Sequence, residues 1–308
     1  GVTSLGLLNG GSSFFIPVAE GWMQKCQELG VECWHMADSD NYTCEEFRET
    51  VANDWLERGV NGIAMNACEN NATFMSRFIT DIQAQGVPVV TFDADAPNST
   101  RVAYVGTDQE FLGRAMARLL RQLRPEGGTY ALVSPKQGRT EAFVREIERY
   151  NHRSDRAHWY EIQENYTHGD DSLPAFNPPG VELPTGLEGL MERAALSYTT
   201  AMIFFKQRPM RQSFYESFIE RNRHRSITYI GTDGSDYQLE FLGRRFVDGL
   251  VGQLPHDFGT KSAQALFDVL TQDGPVEKDI INTNVVAYNV IPVELPAAHI
   301  DQNLLDNL

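Results

Sequence analysis

The sequence predicts an α/β protein built from two doubly wound parallel-sheet lobes. Three observations predict this class. Short apolar runs alternate with longer stretches whose apolar residues recur at helical spacing. The alternation occurs twice in tandem along the chain. The length of 308 residues is also sufficient for two domains of about 150 residues each.

The first series of elements contains five predicted strands separated by helices. The strands are predicted at Leu5–Leu8, Val31–Met36, Gly62–Met65, Val87–Phe92 and Val102–Val105. The helices are predicted at Phe15–Leu29, Thr43–Arg58 and Ala72–Gln85, and each is followed by a glycine or ends close to one. Thr43 and Glu46 have the spacing of a capping box. Helices of this length between strands predict right-handed crossovers and a parallel sheet.

The second series repeats the pattern after residue 128. Strands are predicted at Thr129–Ser134, His158–Ile162, Ala201–Phe205 and Ile227–Gly231. Helices are predicted at Glu141–Tyr150, Leu187–Ser197 and Met210–Arg221. Four prolines interrupt this rhythm within residues 169–186, which predicts a loop there. This loop is interpreted either as a surface insertion or as a lid or partner contact.

Composition and charge exclude several classes of protein. Hydrophobic residues make up 42% of the chain and charged residues 22%, which is typical of a globular protein. The net charge of −16 repels phosphate backbones, so no nucleic-acid partner is expected. No run of 18 apolar residues predicts a membrane span. We expect that any signal peptide has been removed from this chain.

The four cysteines all lie within the first 68 residues: Cys26, Cys33, Cys44 and Cys68. Their spacing matches neither a C-x-x-C pair nor a zinc finger, so no metal site is predicted. An even number fits one or two disulfides in an oxidising compartment, and four buried thiols fit it equally well. Four N-x-S/T sequons, beginning at Asn41, Asn71, Asn98 and Asn165, would matter only in a eukaryotic secretory route.

Candidate ligand-binding residues follow the carboxyl ends of the predicted strands, where open parallel sheets bind ligands. The first strand is followed by a glycine pair and then by Ser12, Ser13, Phe14 and Phe15. These glycines match neither the dinucleotide fingerprint nor the P-loop, so no nucleotide cofactor is predicted. The two aromatic rings either pack in the core or form an apolar wall for a sugar ring.

Two aspartates follow equivalent strands of the two series, Asp93 in the first and Asp233 in the second. Each carboxylate alone is most simply a turn or cap residue. The pair in tandem units favours acceptance of charge-assisted hydrogen bonds from the hydroxyls of a polyol. Arg139, after another strand, is either a solvated charge or a donor to the same ligand, and Lys206 and Gln207 occupy a similar position.

No catalytic arrangement is recognised. The chain contains no G-x-S-x-G elbow and no H-E-x-x-H motif. Its seven histidines are scattered, and His35 is interpreted as a structural histidine. A glycoside hydrolase with Asp93 and Asp233 as its acid and base is the remaining enzymatic interpretation, and no motif supports it. The chain is therefore predicted not to be an enzyme.

Several segments, in this order and spacing, together resemble the type I periplasmic sugar-binding proteins of the ribose-binding group. The segments are Ser12–Phe15, Val87–Asp93, Val105–Gly113, Arg139–Phe143, Tyr229–Gly234 and Gly252–Pro255 with Gly259. The resemblance covers about residues 4 to 289. It implies two α/β lobes joined by a three-crossing hinge and closing over a ligand. The implied lobes are residues 1–106 with 254–285, and residues 107–253 with 286–308.

The resemblance also implies roles for single residues. Phe14 and Phe15 match the stacking aromatics, and Asp93, Arg139 and Asp233 match the polar groups that bind sugar hydroxyls. Gln253 matches an amide near the hinge. The chain departs from ribose binders at Ala94, where they carry arginine, at residues 205–208, where they carry asparagine, and at Ser12 or Ser13 in place of a first-loop asparagine. These departures argue against ribose as the ligand.

The sequence and this resemblance predict an extracytoplasmic solute-binding protein for a monosaccharide or related polyol. We expect a secreted monomer, periplasmic or extracellular, whose closed form is bound by an ABC-type membrane permease or by a sensor protein. The alternative is the effector-binding core of a transcription regulator similar to the lactose repressor. That class needs an N-terminal helix-turn-helix, which this sequence lacks.

Overall fold

The computed structural model describes residues 2–153, 158–162, 182–271 and 280–289. The chain divides into two units. Unit 1 is Gly1–Thr107 with Leu254–Thr283, and unit 2 is Asp108–Gln253 with Asn284–Leu308. The chain therefore passes from one unit to the other three times. Most of the proline-rich segment 169–186 lies outside the described residues.

Unit 1 is a six-stranded parallel sheet with helices on its faces, in the strand order β11-β5-β4-β3-β1-β2. Its strands are β1 (Ser4–Asn9), β2 (Glu32–Ala37), β3 (Gly62–Met65), β4 (Val89–Phe92), β5 (Ala103–Thr107) and β11 (Ile280–Thr283). Its helices are α1 (Ile16–Leu29), α2 (Cys44–Glu57), α3 (Ala72–Ala84) and α9 (Pro255–Thr271). All described pairings in this sheet are parallel.

Unit 2 repeats this architecture in the strand order β12-β10-β9-β8-β6-β7. Its strands are β6 (Gly128–Val133), β7 (Trp159–Glu161), β8 (Ala201–Phe204), β9 (Thr228–Thr232), β10 (Gly249–Gln253) and β12 (Val285–Asn289). Its helices are α4 (Gln109–Leu123), α5 (Arg139–Arg153), α6 (Gly186–Leu196), α7 (Tyr215–Asn222) and α8 (Asp236–Gly243). The last strand, β12, pairs antiparallel with β10, whereas the other described pairings are parallel.

Apolar side chains cover both faces of each sheet. In β1, Leu5 and Leu7 belong to one core cluster, and Leu8 belongs to the cluster on the opposite face. This division follows from the alternation of side chains along a strand. Because helices cover both faces, inner strands such as β3, β4 and β8 are fully buried and mostly apolar, as is usual in parallel sheets.

Local sequence features explain several element boundaries. Thr43 and Glu46 form the predicted capping box at the start of α2, with Thr43 Oγ1 accepting from the Glu46 N–H at 3.2 Å. Gly30 ends α1 with a left-handed φ of 67°. The prediction of one helix over Met210–Arg221 is wrong. A 3-10 turn at Arg208–Arg211 is followed by the shorter helix α7, because Gln212 adopts an extended conformation between them.

Candidate functional site

The loop after β1, residues 10–15, approaches its neighbours too closely for larger side chains. A Cβ at Gly10 would lie 2.8 Å from the Phe15 ring, and a Cβ at Gly11 would lie 2.5 Å from the Asp38 carbonyl oxygen. The glycine pair therefore allows the chain to turn tightly at the carboxyl edge of the sheet. We call residues 10–15 the first loop.

The four candidate residues of the first loop differ in burial. Ser12 and Ser13 are exposed. Phe15 is buried and contacts Phe92, with ring centroids 6.3 Å apart. Phe14 is half-buried between Phe15 and Phe258, at centroid distances of 5.2 and 6.2 Å. Phe15 is thus a core residue, and Phe14 is the ring of the pair that keeps an exposed part.

Asp93 directly follows β4 and ends it with a left-handed turn, at a φ of 59°. Its N–H donates to the Val105 carbonyl at 3.0 Å, and its carbonyl accepts from the Tyr104 hydroxyl at 2.8 Å. Burial raises the pKa of Tyr104, and the carboxylate charges of Asp93 and Asp95 raise it further. Asp93 itself is half-buried. Aspartate is one of the few residues that adopts this backbone conformation readily.

Asp95, two residues further along, has a structural role. Its carboxylate accepts from Arg101 Nε at 2.5 Å and from Arg101 Nη2 at 2.8 Å, a two-point contact. It also accepts from the Thr91 hydroxyl at 2.6 Å. Arg101 and Thr91 therefore hold the Asp95 carboxylate in place.

Asp233 repeats the geometry of Asp93 in unit 2. It follows β9 with a φ of 72°, and its N–H donates to the Val251 carbonyl at 2.8 Å. Val251 lies on the neighbouring strand β10, just as Val105 lies on β5. Gln253 Nε2 donates to Asp233 Oδ1 at 2.9 Å, so these two predicted site residues are in direct contact. Asp233 is 8% exposed.

Arg139 is the first residue of α5 and is buried. Its Nη1 donates to the Phe205 carbonyl at 2.6 Å and to Thr232 Oγ1 at 3.0 Å. Its Nε and Nη2 both donate to Gln109 Oε1, at 3.0 and 2.8 Å. Arg139 thus links the ends of β8 and β9 and lies beside the residue that precedes Asp233. Its role as a ligand donor stays a prediction.

Lys206 and Gln207 follow β8 and have different surroundings. Lys206 is exposed. Gln207 is buried, and its Oε1 accepts from Arg211 Nη2 at 2.5 Å, while its Nε2 donates to Ser235 at 3.3 Å. Gln207 therefore lies at the same edge of the unit 2 sheet as Asp233.

A polar network at the carboxyl edge of unit 1 was not predicted from the sequence. The buried Asn9 ends β1, and its Oδ1 lies 2.7 Å from His35 Nε2, which supports the structural interpretation of His35. Burial lowers the pKa of His35. Arg48 on α2 is fully buried and donates to Asn66, the residue that follows β3. Burial lowers the pKa of Arg48 to about 10, against the opposing effect of the Asp38 charge.

The structure pairs all four cysteines, Cys26 with Cys33 and Cys44 with Cys68. Both disulfides lie in unit 1. Within the described residues, we find no group of three or more His, Cys, Asp or Glu side chains that could hold a metal ion. No helix in the described part of the chain has the length and apolar character needed to cross a membrane.

The chain matches the family model of the periplasmic binding protein domain over residues 6–175. The chain belongs to the periplasmic binding protein family. The family resemblance predicted from the sequence is therefore confirmed. Among curated proteins, none matches the chain by sequence.

Solved structures confirm the fold class of two parallel-sheet α/β lobes. A glucose-galactose binding protein, GanP, from Geobacillus stearothermophilus has 20% identity and a TM-score of 0.66, over 96% of this chain and 100% of its own. An arabinose binding protein, AraP, from the same organism has 15% identity and a TM-score of 0.73, over 94% and 97%. A LacI transcriptional regulator from Bacteroides fragilis, itself described as putative, has 14% identity and a TM-score of 0.66, over 94% and 98%.

Proposed function

We propose that this periplasmic binding protein is an extracytoplasmic receptor that captures a monosaccharide or related polyol without chemical conversion. Side chains at the strand ends of both units would form hydrogen bonds with the ligand hydroxyls. Hinge closure would follow, because a ligand that is hydrogen-bonded to both units favours the closed state. The closed form would be bound by an ABC-type permease or a sensor protein.

The observation that carries this proposal is the matched geometry of Asp93 and Asp233. Each aspartate follows a buried strand of its own unit in a left-handed turn, and each N–H is bonded to the neighbouring strand. The turns hold the two carboxylates at carboxyl strand ends, where α/β sheets bind ligands. A carboxylate there accepts charge-assisted hydrogen bonds from neighbouring hydroxyls, each worth about 1.5–3 kcal/mol.

Further residues at these edges suit a neutral, hydroxyl-rich ligand. Phe14 offers a partly exposed ring in unit 1, and the C–H face of a sugar stacks on such a ring. Gln253 donates to Asp233 and so orients its carboxylate. The glucose-galactose binding protein GanP and the arabinose binding protein AraP share this fold, which supports a sugar as the ligand class.

Calorimetric titration of the purified protein tests the proposal. The panel contains D-glucose, D-galactose, L-arabinose, D-ribose, D-xylose and myo-inositol. Saturable heat with at least one compound, without turnover of that compound by chromatography, is the expected result. An absence of binding across the panel and across wider sugar and polyol libraries would contradict it. Conversion of the bound compound would show an enzyme instead.

The second candidate is the effector-binding core of a transcription regulator, which the match to a LacI regulator favours. The two disulfides argue against it, because structural disulfides are rare in the reducing cytosol. A thiol count on unreduced protein from its natural source discriminates the two. Absence of free thiols supports the exported receptor, whereas four free thiols support the regulator core.

A further inference from the structure

The first loop is held by side-chain hydrogen bonds at its starting residue. The Gly10 N–H donates to Asn66 Oδ1 at 3.1 Å, and the Gly10 carbonyl accepts from Asn9 Nδ2 at 2.8 Å. Asn66 follows β3, the strand that pairs directly with β1. Both polar groups of the Gly10 backbone are thus bonded at the point where the loop leaves the sheet.

Arg48 holds Asn66 in turn. From the first turns of α2, its Nη2 donates to Asn66 Oδ1 at 2.6 Å and its Nε donates to the Asn66 carbonyl at 3.1 Å. The Arg48 guanidinium is fully buried, and its Nη1 finds no acceptor within the described part of the chain. Burying a charged group with an unsatisfied donor is costly, so the arrangement is not explained by stability alone.

The Cys44–Cys68 disulfide joins the same two segments. Cys44 is the first residue of α2, one helical turn before Arg48, and Cys68 lies two residues after Asn66. The Cα atoms of the two cysteines are 5.9 Å apart. A covalent bond and a buried guanidinium therefore both fix the start of α2 to the segment that carries Asn66.

We propose that Arg48, Asn66 and the Cys44–Cys68 disulfide form one clamp that positions the first loop for ligand binding. The inference rests on the proposed function, since the first loop carries Ser12, Ser13 and Phe14. The clamp acts through the Gly10 backbone, so its members are positioning residues and not ligand contacts. The clamp is complete only when Cys44 and Cys68 are oxidised.

The chain supplies matched controls for each part of the clamp. The second disulfide links Cys26, near the end of α1, to Cys33, the second residue of β2, and so lies at the amino edge of the same sheet. Arg58 follows α2 at its other end and pairs with Asp54 on the surface. Substitutions at these positions remove the same chemical groups without touching Gly10.

Hydrogen exchange on the ligand-free protein tests the clamp directly. We expect at least tenfold faster exchange of the two hydrogen-bonded amides of the first loop, those of Gly10 and Phe15, in Arg48→Met, in Asn66→Ala and in the double variant Cys44→Ser/Cys68→Ser. Arg58→Met and Cys26→Ser/Cys33→Ser should leave this segment at the wild-type rate. Asn66→Asp keeps the Oδ1 acceptor and its contact with Arg48, so it should preserve protection of the loop.

Two results would overturn the inference. One is a first-loop exchange rate that stays at the wild-type value in both Asn66→Ala and the Cys44→Ser/Cys68→Ser double variant. This test can be made even if Arg48→Met does not fold. The other is faster exchange spread evenly over unit 1, because the three elements would then stabilise the unit generally.

Titration of the same variants with whichever panel sugar the wild type binds gives the second measurement. Affinity should fall at least tenfold in Asn66→Ala and in Cys44→Ser/Cys68→Ser, and stay within twofold in Asn66→Asp and Arg58→Met. Wild-type affinity in both clamp variants would contradict the positioning role. Failure of the wild type to bind any sugar contradicts the proposed function instead, while the exchange result still decides whether the clamp holds the loop.

Discussion

The carboxyl edges of the two sheets share one backbone device but are supported by different chemistry. Asp93 and Asp233 end equivalent strands in the same left-handed turn. In unit 1, a disulfide and the buried Arg48 brace the neighbouring loops. In unit 2, which contains no cysteine, Arg139 joins the ends of β8 and β9 instead. The aspartate turn is therefore common to both units, whereas the side chains that support it differ between them.

The largest expected effect is the loss of stability when Arg139, which supports the strand ends of unit 2, is replaced. Arg139→Met removes donors to Gln109, Thr232 and the buried Phe205 carbonyl, and leaves that carbonyl unsatisfied. We expect a loss of about 3 kcal/mol in the free energy of unfolding, measured in urea. Arg145→Met, which removes an exposed arginine from the same helix, should cost less than about 0.5 kcal/mol. Equal effects of the two substitutions would show that Arg139 does not brace this edge.

The next largest expected effect is a loss of sugar affinity when the aspartates of the two left-handed turns are replaced. Asp93→Asn and Asp233→Asn keep a side chain that tolerates a left-handed turn and remove the negative charge. Each should lower affinity for the bound sugar at least tenfold, about 1.4 kcal/mol, with the folded structure retained by circular dichroism. Asp81→Asn and Asp236→Asn change exposed carboxylates in units 1 and 2 and serve as controls. Wild-type affinity in both site variants would place the ligand elsewhere.

The sequence allowed the polar residues at the strand ends to be identified, but not the residues that hold the neighbouring loops in place. Asp93 and Asp233 are identified by position, because each directly follows an apolar strand. Arg48 could not be identified in this way, since an arginine within an amphipathic helix is ordinarily a surface charge. Its partner, Asn66, is 18 residues away, and only the packing of α2 beside β3 brings them together. The antiparallel direction of β12 likewise depends on pairing that a local pattern does not encode.

A smaller effect is the expected difference in stability between removing one disulfide of unit 1 and removing the other. In the chain-entropy model, a bond closing 24 residues contributes about 3 kcal/mol and a bond closing 7 contributes about 2 kcal/mol. Cys44→Ser/Cys68→Ser should therefore destabilise unit 1 by about 1 kcal/mol more than Cys26→Ser/Cys33→Ser, as measured by urea unfolding. The reverse order would mean that native packing outweighs loop closure here.

The smallest expected effect is a pH dependence of the free energy of unfolding that arises from Glu146 in unit 2. Burial favours a raised pKa for Glu146, but hydrogen bonds from Arg149 and Arg118 outweigh it and hold the pKa below its ordinary value. A lowered folded-state pKa contributes stability above the unfolded pKa of about 4.3 and loses it as the pH falls through the folded value. The free energy of unfolding should therefore fall more steeply between pH 5 and 3, as rough limits, in the wild type than in Glu146→Gln. Parallel curves in urea titrations would contradict this assignment.

The short segment from Ile280 to Asn289 supplies one end strand of each sheet in succession. β11 covers the edge of β5 in unit 1, and after the single residue Asn284 the chain continues as β12 along the edge of β10 in unit 2. Exposed strand edges are templates for pairing with other chains. Proteolytic removal of these ten residues would thus leave the more buried, apolar strands β5 and β10 as the sheet edges, and both are more prone to intermolecular pairing than the partly exposed β11 and β12.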